Sequence, residues 1–227
     1  MDDDRNLRYR LAAPEDLPDI ATLFRQCNPD SVWAQFGNRV PEVYFRHYCS
    51  GNSGLTIVAI SESGVVGACV GTTDPQHERM EFYKRYGPNI VQLMAVYLIA
   101  NPVALLVLIR RTLRAATRLG ARMAWRLCHA LTLSKTPGTT MDPLKAASRK
   151  WSFVAILFVH PEMRGLGVGT MMLEEFQNEG ARRGFDSCRI NTTQDNVAAQ
   201  RAIARAGFRY AGAARTGVTY VSEVSGT

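Results

Sequence analysis

The chain has 227 residues, a net charge of +7, 46% hydrophobic and 21% charged residues, which is ordinary globular composition and excludes disorder, collagen and a pure coiled coil. Its five cysteines are scattered with no Cys-x-x-Cys pair, so neither a disulfide framework nor a zinc site is indicated and no metal is expected. The start MDDDRNLRYR lacks an apolar run behind a basic one and does not read as a signal peptide.

Leu7–Leu11 alternates and predicts a short strand. Pro14-Glu15-Asp16 opens a helix that keeps its spacing to about Cys27. A second helix is expected from Pro41 to Cys49. Leu55–Ile60 and Val65–Thr72, joined by Ser61-Glu62-Ser63-Gly64, predict a β-hairpin.

The middle of the chain differs from the rest. Residues 88–150 hold ten basic residues and one acid, +9, and the remainder holds seventeen basic and nineteen acidic residues, −2. All the excess positive charge therefore sits in one segment, which suggests an insertion with its own surface role. From Ile90 to Ile109, seventeen of twenty residues are apolar. Asn101-Pro102 divides this run, because Asn favours a helix cap and Pro a first turn. Two helices are expected, about Pro88–Ala100 and from Pro102 to about Leu133, neither with an apolar run long enough to span a bilayer. Along the second, Arg110, Arg114, Arg118, Arg122 and Arg126 recur every four residues. Like charges at that spacing repel, so they call for solvent or an anionic partner. Residues 134–149 read as a linker.

The last third is an α/β pattern: a strand at Phe153–Val159, a helix from Val168 to Arg183, a strand at Asp186–Asn191, a helix from Asp195 to Ala206 ended by Gly207, and strands at Phe208–Ala214 and Val218–Val224. Between the first strand and helix lies Arg164-Gly165-Leu166-Gly167-Val168-Gly169-Thr170. Glycines there admit unusual backbone angles, and N–H groups converging at a helix start bind phosphate oxygens. No Lys-Ser/Thr follows the last Gly, which excludes a P-loop. A dinucleotide fingerprint fits poorly, since the third small position falls on Thr170 or Met172.

Arg164-x-x-Gly167-x-Gly169, entered from a strand ending Val159-His160-Pro161, resembles the acetyl-CoA loop of the GNAT N-acetyltransferase superfamily. Asn196 to Gly207-Phe208 resembles that family's following helix, and Leu7–Cys27 its opening. The likeness covers about 7–75 and 151–224, leaving 76–150 as a helical insertion in a single domain, 1–227. The resemblance implies an α+β fold, an α/β/α sandwich with a mixed, mostly antiparallel sheet. It implies acetyl-CoA as cosubstrate, no metal, and direct acyl transfer through a ternary complex to a small primary amine, with an amino sugar nucleotide among the candidates. It implies that backbone groups near Phe158 and Val159 bond pantetheine, that amides of Arg164, Gly165, Leu166, Gly167, Val168, Gly169 and Thr170 hold the pyrophosphate, and that Asn196 and Asn191 line the same cleft.

The sequence departs from the family at Ile203, where many members carry a Tyr that protonates the leaving thiolate. Tyr210 reads as a packed strand residue and His160 as structural, so no catalytic acid or base is named. A longer acyl-CoA donor and a non-catalytic CoA-binding or membrane-associated protein remain open alternatives. The expected location is the cytoplasm, with 88–133 as a peripheral contact for an anionic membrane or a second copy. Nucleic acid is not expected, because no aromatic residues interleave the Arg stripe.

Overall fold

The computed structural model describes residues 7–31, 33–50, 53–75, 77–102, 150–214 and 217–223. Strand β1 (Arg8–Leu11) leads through a 3-10 turn at Pro14–Asp16 into helix α1 (Leu17–Cys27). Helix α2 (Arg39–Ser50) follows, then the hairpin β2 (Gly54–Ser61) and β3 (Gly64–Thr72). Helix α3 spans Glu78–Ala100. The last third supplies β4 (Trp151–Val159), α4 (Val168–Arg182), β5 (Ser187–Thr193), α5 (Val197–Arg205), β6 (Arg209–Ala214) and β7 (Gly217–Glu223). Outside residues 76–150, the predicted elements match these within a few residues.

The seven strands form one sheet in the order β1-β2-β3-β4-β5-β7-β6. β4 and β5 run parallel and every other neighbouring pair is antiparallel. Helices cover both faces, as the expected three-layer α+β sandwich requires. α4 and α5 press Met172, Leu173, Phe176 and Ile203 onto Leu55, Ile57 and Val154. On the other face, α1 and α2 set Ile20, Phe24 and Phe45 against Val58, Val70 and Phe158.

The expected helix start at Pro88 is corrected: α3 begins ten residues earlier and carries Pro88 inside it. Pro costs an interior hydrogen bond, but apolar contacts on both sides of it outweigh that loss. Phe82 and Ile90 are buried against Phe36, Val40 and Val43, with Leu93, Met94 and Tyr97 packed alongside. The expected break is present, with α3 ending at Ala100. Asn101 serves the helix behind it, its Nδ2 donating to the Tyr97 carbonyl at 2.9 Å. The expected second helix, the Arg110–Arg126 stripe and the linker 134–149 lie outside the described residues. Among the described residues no helix is long and apolar enough to cross a membrane.

The β1–α1 corner is held by one carboxylate. Asp16 accepts from both Arg10 terminal nitrogens, at 2.7 and 2.9 Å, and from the Ala13 N–H at 2.7 Å. Burial by itself pushes this carboxyl up, but the Arg10 and Ala13 bonds outweigh it and hold it below its ordinary value. A depressed native value means that the stabilisation is full above the unfolded Asp range, about 4, and fades as pH falls through the native value. Asp16→Asn should therefore cost about 1–3 kcal/mol at neutral pH, the range for hydrogen bonds to a charged group. Denaturant titrations at stepped pH should show the gap to the wild type narrowing below roughly pH 4; a gap that stays constant down to pH 3, roughly, refutes this account of Asp16.

Candidate functional site

β4 and β5 pair only from Trp151↔Ser187 to Val154↔Ile190. The closed end is pinned, with the Arg189 guanidinium 4.0 Å over the Trp151 ring and the Asp186 N–H donating to the Lys150 carbonyl at 2.9 Å. Past Val154 the strands part. Between β3 and β4 the register shifts, so that Gly71 faces Val154 and Val70 faces Ile156. Ala155 is the extra residue of a β-bulge, which bends its strand. Gly71 allows close packing here: a Cβ on it would strike the Phe153 carbonyl and lie 2.6 Å from the Phe176 ring.

The gap is a cleft of about 240 Å³ whose lining includes Ala155, Leu157, Asn191, Asn196, Ala199 and Ile203. Which β4 backbone groups face it follows from the antiparallel ladder. The His160 N–H donates to the Val66 carbonyl at 2.8 Å, and alternation turns Phe158 toward Ala68 in the same way. The expectation for Phe158 is therefore corrected: its backbone belongs to the β3 ladder, and its ring is buried between Phe24 and Phe45. Leu157 and Val159 turn their backbone groups away from β3. Beyond the splay these groups have no β5 strand partner, and an unpaired strand edge is a template for an extended chain of amides.

The Val159 carbonyl accepts from the Arg164 Nε at 3.1 Å and from the Cys27 thiol at 3.3 Å. Burial pushes the Cys27 thiol up while Arg164 pulls it the other way, and the net rise keeps it a donor. No sequence signal foretells this contact, since Cys27 and Val159 are 132 residues apart.

The Gly-rich segment forms the turn into α4. Gly165 and Gly167 take φ of 82° and 85°, a region closed to most side chains. Gly167 caps α4, and its carbonyl accepts from the Met171 N–H. The N–H groups of Val168, Gly169 and Thr170 belong to the first helical turn, which has no intrahelical acceptors for them. The Val168 side chain is buried, Leu166 is exposed, and the Thr170 hydroxyl donates to the Ala202 carbonyl at 3.5 Å. Gly169 sits against Leu157, Val159 and Ala202. These open amides, the positive end of the α4 dipole and the exposed Arg164 make an anion site beside the cleft.

Asn196 caps α5, its side-chain oxygen accepting from the Ala199 N–H at 3.1 Å. It lines the cleft with Asn191, which pairs with Thr219 across β7. The β5–α5 connection is held by Gln200, which donates to the Thr193 and Gln194 carbonyls and accepts from the Tyr220 hydroxyl; sequence reading singles out neither Gln200 nor Tyr220.

Ile203 is fully buried and forms part of the cleft wall. Tyr210 lies on edge strand β6, outside the cleft lining, with its ring 6.1 Å from Tyr220. It is 61% exposed, so the packed reading is corrected. His160 begins the 3-10 turn Pro161–Met163, its Nδ1 3.9 Å from Glu162. Among the described residues, the side chains lining the cleft include no carboxylate, His, Cys or Tyr, and no group of three His, Cys, Asp or Glu could hold a metal ion.

The sequence model of the acetyltransferase (GNAT) family matches residues 131–208. No curated protein matches the chain by sequence. Among solved structures, the fold is similar to SsHAT, with a TM-score of 0.58 at 15% identity over 96% of this chain and 98% of that one. It is similar to Arabidopsis thaliana NAA60 in complex with a bisubstrate analogue, with a TM-score of 0.53 at 11% identity over 98% and 100%. It is also similar to yncA, a putative acetyltransferase from Salmonella typhimurium with acetyl-CoA, with a TM-score of 0.50 at 12% identity over 96% and 94%.

The two duties of Asn196 can be separated. Asn196→Ala should lower stability by about 1 kcal/mol, the usual cost of a lost N-cap, and Asn196→Ser should restore most of it. Thermal melts of the two variants read the cap alone; equal melting temperatures would show that the cap contributes nothing.

Proposed function

We propose that the chain is a GNAT acetyltransferase, as the family match at residues 131–208 and the shared fold support, and that it transfers an acetyl group from acetyl-CoA to a primary amine on a small acceptor. The observation that carries this reading is the parting of β4 from β5 beside the glycine turn that opens α4. Acetyl-CoA is an extended arm with two amides that ends in a pyrophosphate, and this site offers an unpaired strand edge followed by a cluster of open amides. Leu157 and Val159 would hold the pantetheine amides. The Arg164 N–H is already spent on the Pro161 carbonyl, so amides from Gly165 to Thr170, with the Arg164 side chain, would hold the pyrophosphate. Asn191 and Asn196 would flank the arm. When bound, acetyl-CoA supplies the thioester carbonyl that the amine attacks.

The chain's own part is mainly positioning. Two reactants held in line gain much of the rate from orientation alone, and N–H donors on the β4 edge favour the oxygen that becomes negative. With no titratable side chain among the described lining residues, the amine sheds its proton to water. Ile203 offers the departing thiolate none, so that proton too comes from solvent or from the amine. The lining favours no amino sugar nucleotide over other amines. The apolar residues Val154, Ile156, Leu157, Ile190 and Ile203 do favour a competing donor with a longer acyl chain. Turnover across a series of acyl chain lengths decides between the two.

Acetyl-CoA should raise the melting temperature by mass action. Gly167→Glu sets a carboxylate, and a strained φ, where the phosphates would lie, and should abolish that rise. A folded Gly167→Glu protein that keeps the full shift would place the cofactor elsewhere.

Ile203→Tyr returns a hydroxyl to the cleft wall. It should cost about 1–3 kcal/mol through overpacking and raise turnover by up to about a hundredfold, the scale of general-acid catalysis. Tyr210→Phe should leave turnover unchanged. A large loss in Tyr210→Phe, with the melting temperature intact, would make Tyr210 the proton donor.

A further inference from the structure

We propose, resting on the acetyl-CoA reading above, that the Arg164 side chain makes the site selective for donors that carry a pyrophosphate: it caps the Val159 carbonyl until a pyrophosphate draws it away. On that reading the Val159 backbone holds a pantetheine amide and the Arg164 side chain holds the pyrophosphate. Here the two are bonded to each other, the Arg164 Nε donating to the Val159 carbonyl at 3.1 Å. The Cys27 thiol donates to the same oxygen at 3.3 Å. A carbonyl oxygen has two lone pairs, so both acceptor directions are filled. A pantetheine N–H gains a bond there only when one of the two donors leaves.

Arg164 is the donor that leaves. Cys27 ends α1 and packs against the cluster that holds Phe24, Phe45 and Phe158, so its thiol moves only with the helix. Arg164 is exposed, and its guanidinium enters no ion pair among the described residues. The glycine turn follows it directly. At Gly165 and Gly167 the space where a Cβ would stand is open, beside the first amides of α4, which have no intrahelical acceptors. A pyrophosphate on these amides lies next to Arg164 in the chain. Charge-assisted, forked bonds to phosphate are roughly twice as strong as a bond between neutral groups and suit a guanidinium. The side chain therefore exchanges Val159 for the anion, and the freed carbonyl accepts from the pantetheine arm. A donor with a pyrophosphate opens its own seat, whereas a pantetheine thioester without one competes with Arg164 for the carbonyl. Discrimination of this kind works against the wrong donor as well as for the right one.

The test measures binding by the full chain, by calorimetry, of acetyl-CoA and of S-acetylpantetheine, which has the same arm without the nucleotide. Arg164→Ala should weaken acetyl-CoA and tighten S-acetylpantetheine, the latter by about two- to tenfold, the scale of one net hydrogen bond. Arg164→Met, which keeps an unbranched stem and no donor, is the second variant should Arg164→Ala lower the melting temperature. In the wild type, ADP alone supplies the pyrophosphate and should shift the Arg164 Nε–H resonance. An affinity for S-acetylpantetheine that is unchanged or lower in both variants, with acetyl-CoA weakened, would leave Arg164 a phosphate ligand only and overturn the proposal. ADP that binds without moving the Arg164 Nε–H resonance would overturn it too. A wild type that binds neither acetyl-CoA nor ADP would overturn the cofactor reading itself, and the proposal with it.

Discussion

Two neighbouring parallel strands agree for four residues and then part, and the chemistry of this molecule depends on that disagreement. A sheet normally satisfies its backbone by continuing the ladder. Here β4 remains tied to β3 along its length while its other edge loses β5 after Val154. The bulge at Ala155 takes up the bend on one side. At the closed end, the Arg189–Trp151 contact and the Lys150–Asp186 bond keep the strands from sliding. The open edge can remain because it faces solvent, where water satisfies unpaired amides at little cost. The bend therefore stores a row of preset hydrogen-bonding groups, and the helix start at Gly167 supplies charge complementarity beside it.

Much of this was legible in the sequence, and the parts that were not share a cause. The strand at 153–159, the glycine turn and the helix from Val168 are local features, written in apolar runs and in residues that tolerate positive φ. The phase of β4 is not local. Whether Phe158 or Leu157 offers its backbone to the cleft is set by pairing with β3, more than eighty residues earlier, and by a bulge at a plain Ala. Pro88 misled for a related reason. Pro favours a helix start when nothing else acts, but Phe82 and Ile90 are both buried on α2, and tertiary packing carries the helix through. Tyr210 reads as a packed strand residue, and it is a strand residue, but on an edge strand where its ring is mostly exposed. Cys27 gave no signal, because its acceptor is a carbonyl at the far end of another strand.

Ile203 gives the cleft its chemical character. It is part of the wall and of the core at once, touching the same cluster as Val154 and Phe176. An apolar side chain there stiffens the seat of α5 and removes the proton donor that a hydroxyl would provide. The polar groups that remain, Asn191, Thr192, Thr193 and Asn196, can orient a substrate but do not titrate near neutral pH. A site of this kind gains rate from alignment and excluded motion, so the fit of the acceptor and the acceptor amine's own protonation govern it rather than a titrating side chain of the cleft.

The two faces of the sheet carry different layers. The glycine turn that opens α4 and the Asn196 cap of α5 flank the cleft. Both lie on one side, over Leu55, Ile57 and Val154. The aromatic layer of Trp33, Tyr44, Phe82 and Tyr86, with α3 outside it, lies beyond α2 on the other. Ring packing on that far side combines edge-to-face pairs, Trp33–Phe82 and Tyr44–Phe82, with tilted ones, Trp33–Tyr44 and Phe82–Tyr86, and seats α3 against α2. The α1–α2 layer lies between α3 and β4. The connection runs through α1, whose last residue, Cys27, touches the Val159 carbonyl beside Arg164. That bond ties the far layer to the open edge of β4, and Ala155 and Ile156, which line the cleft, pack against the same layer.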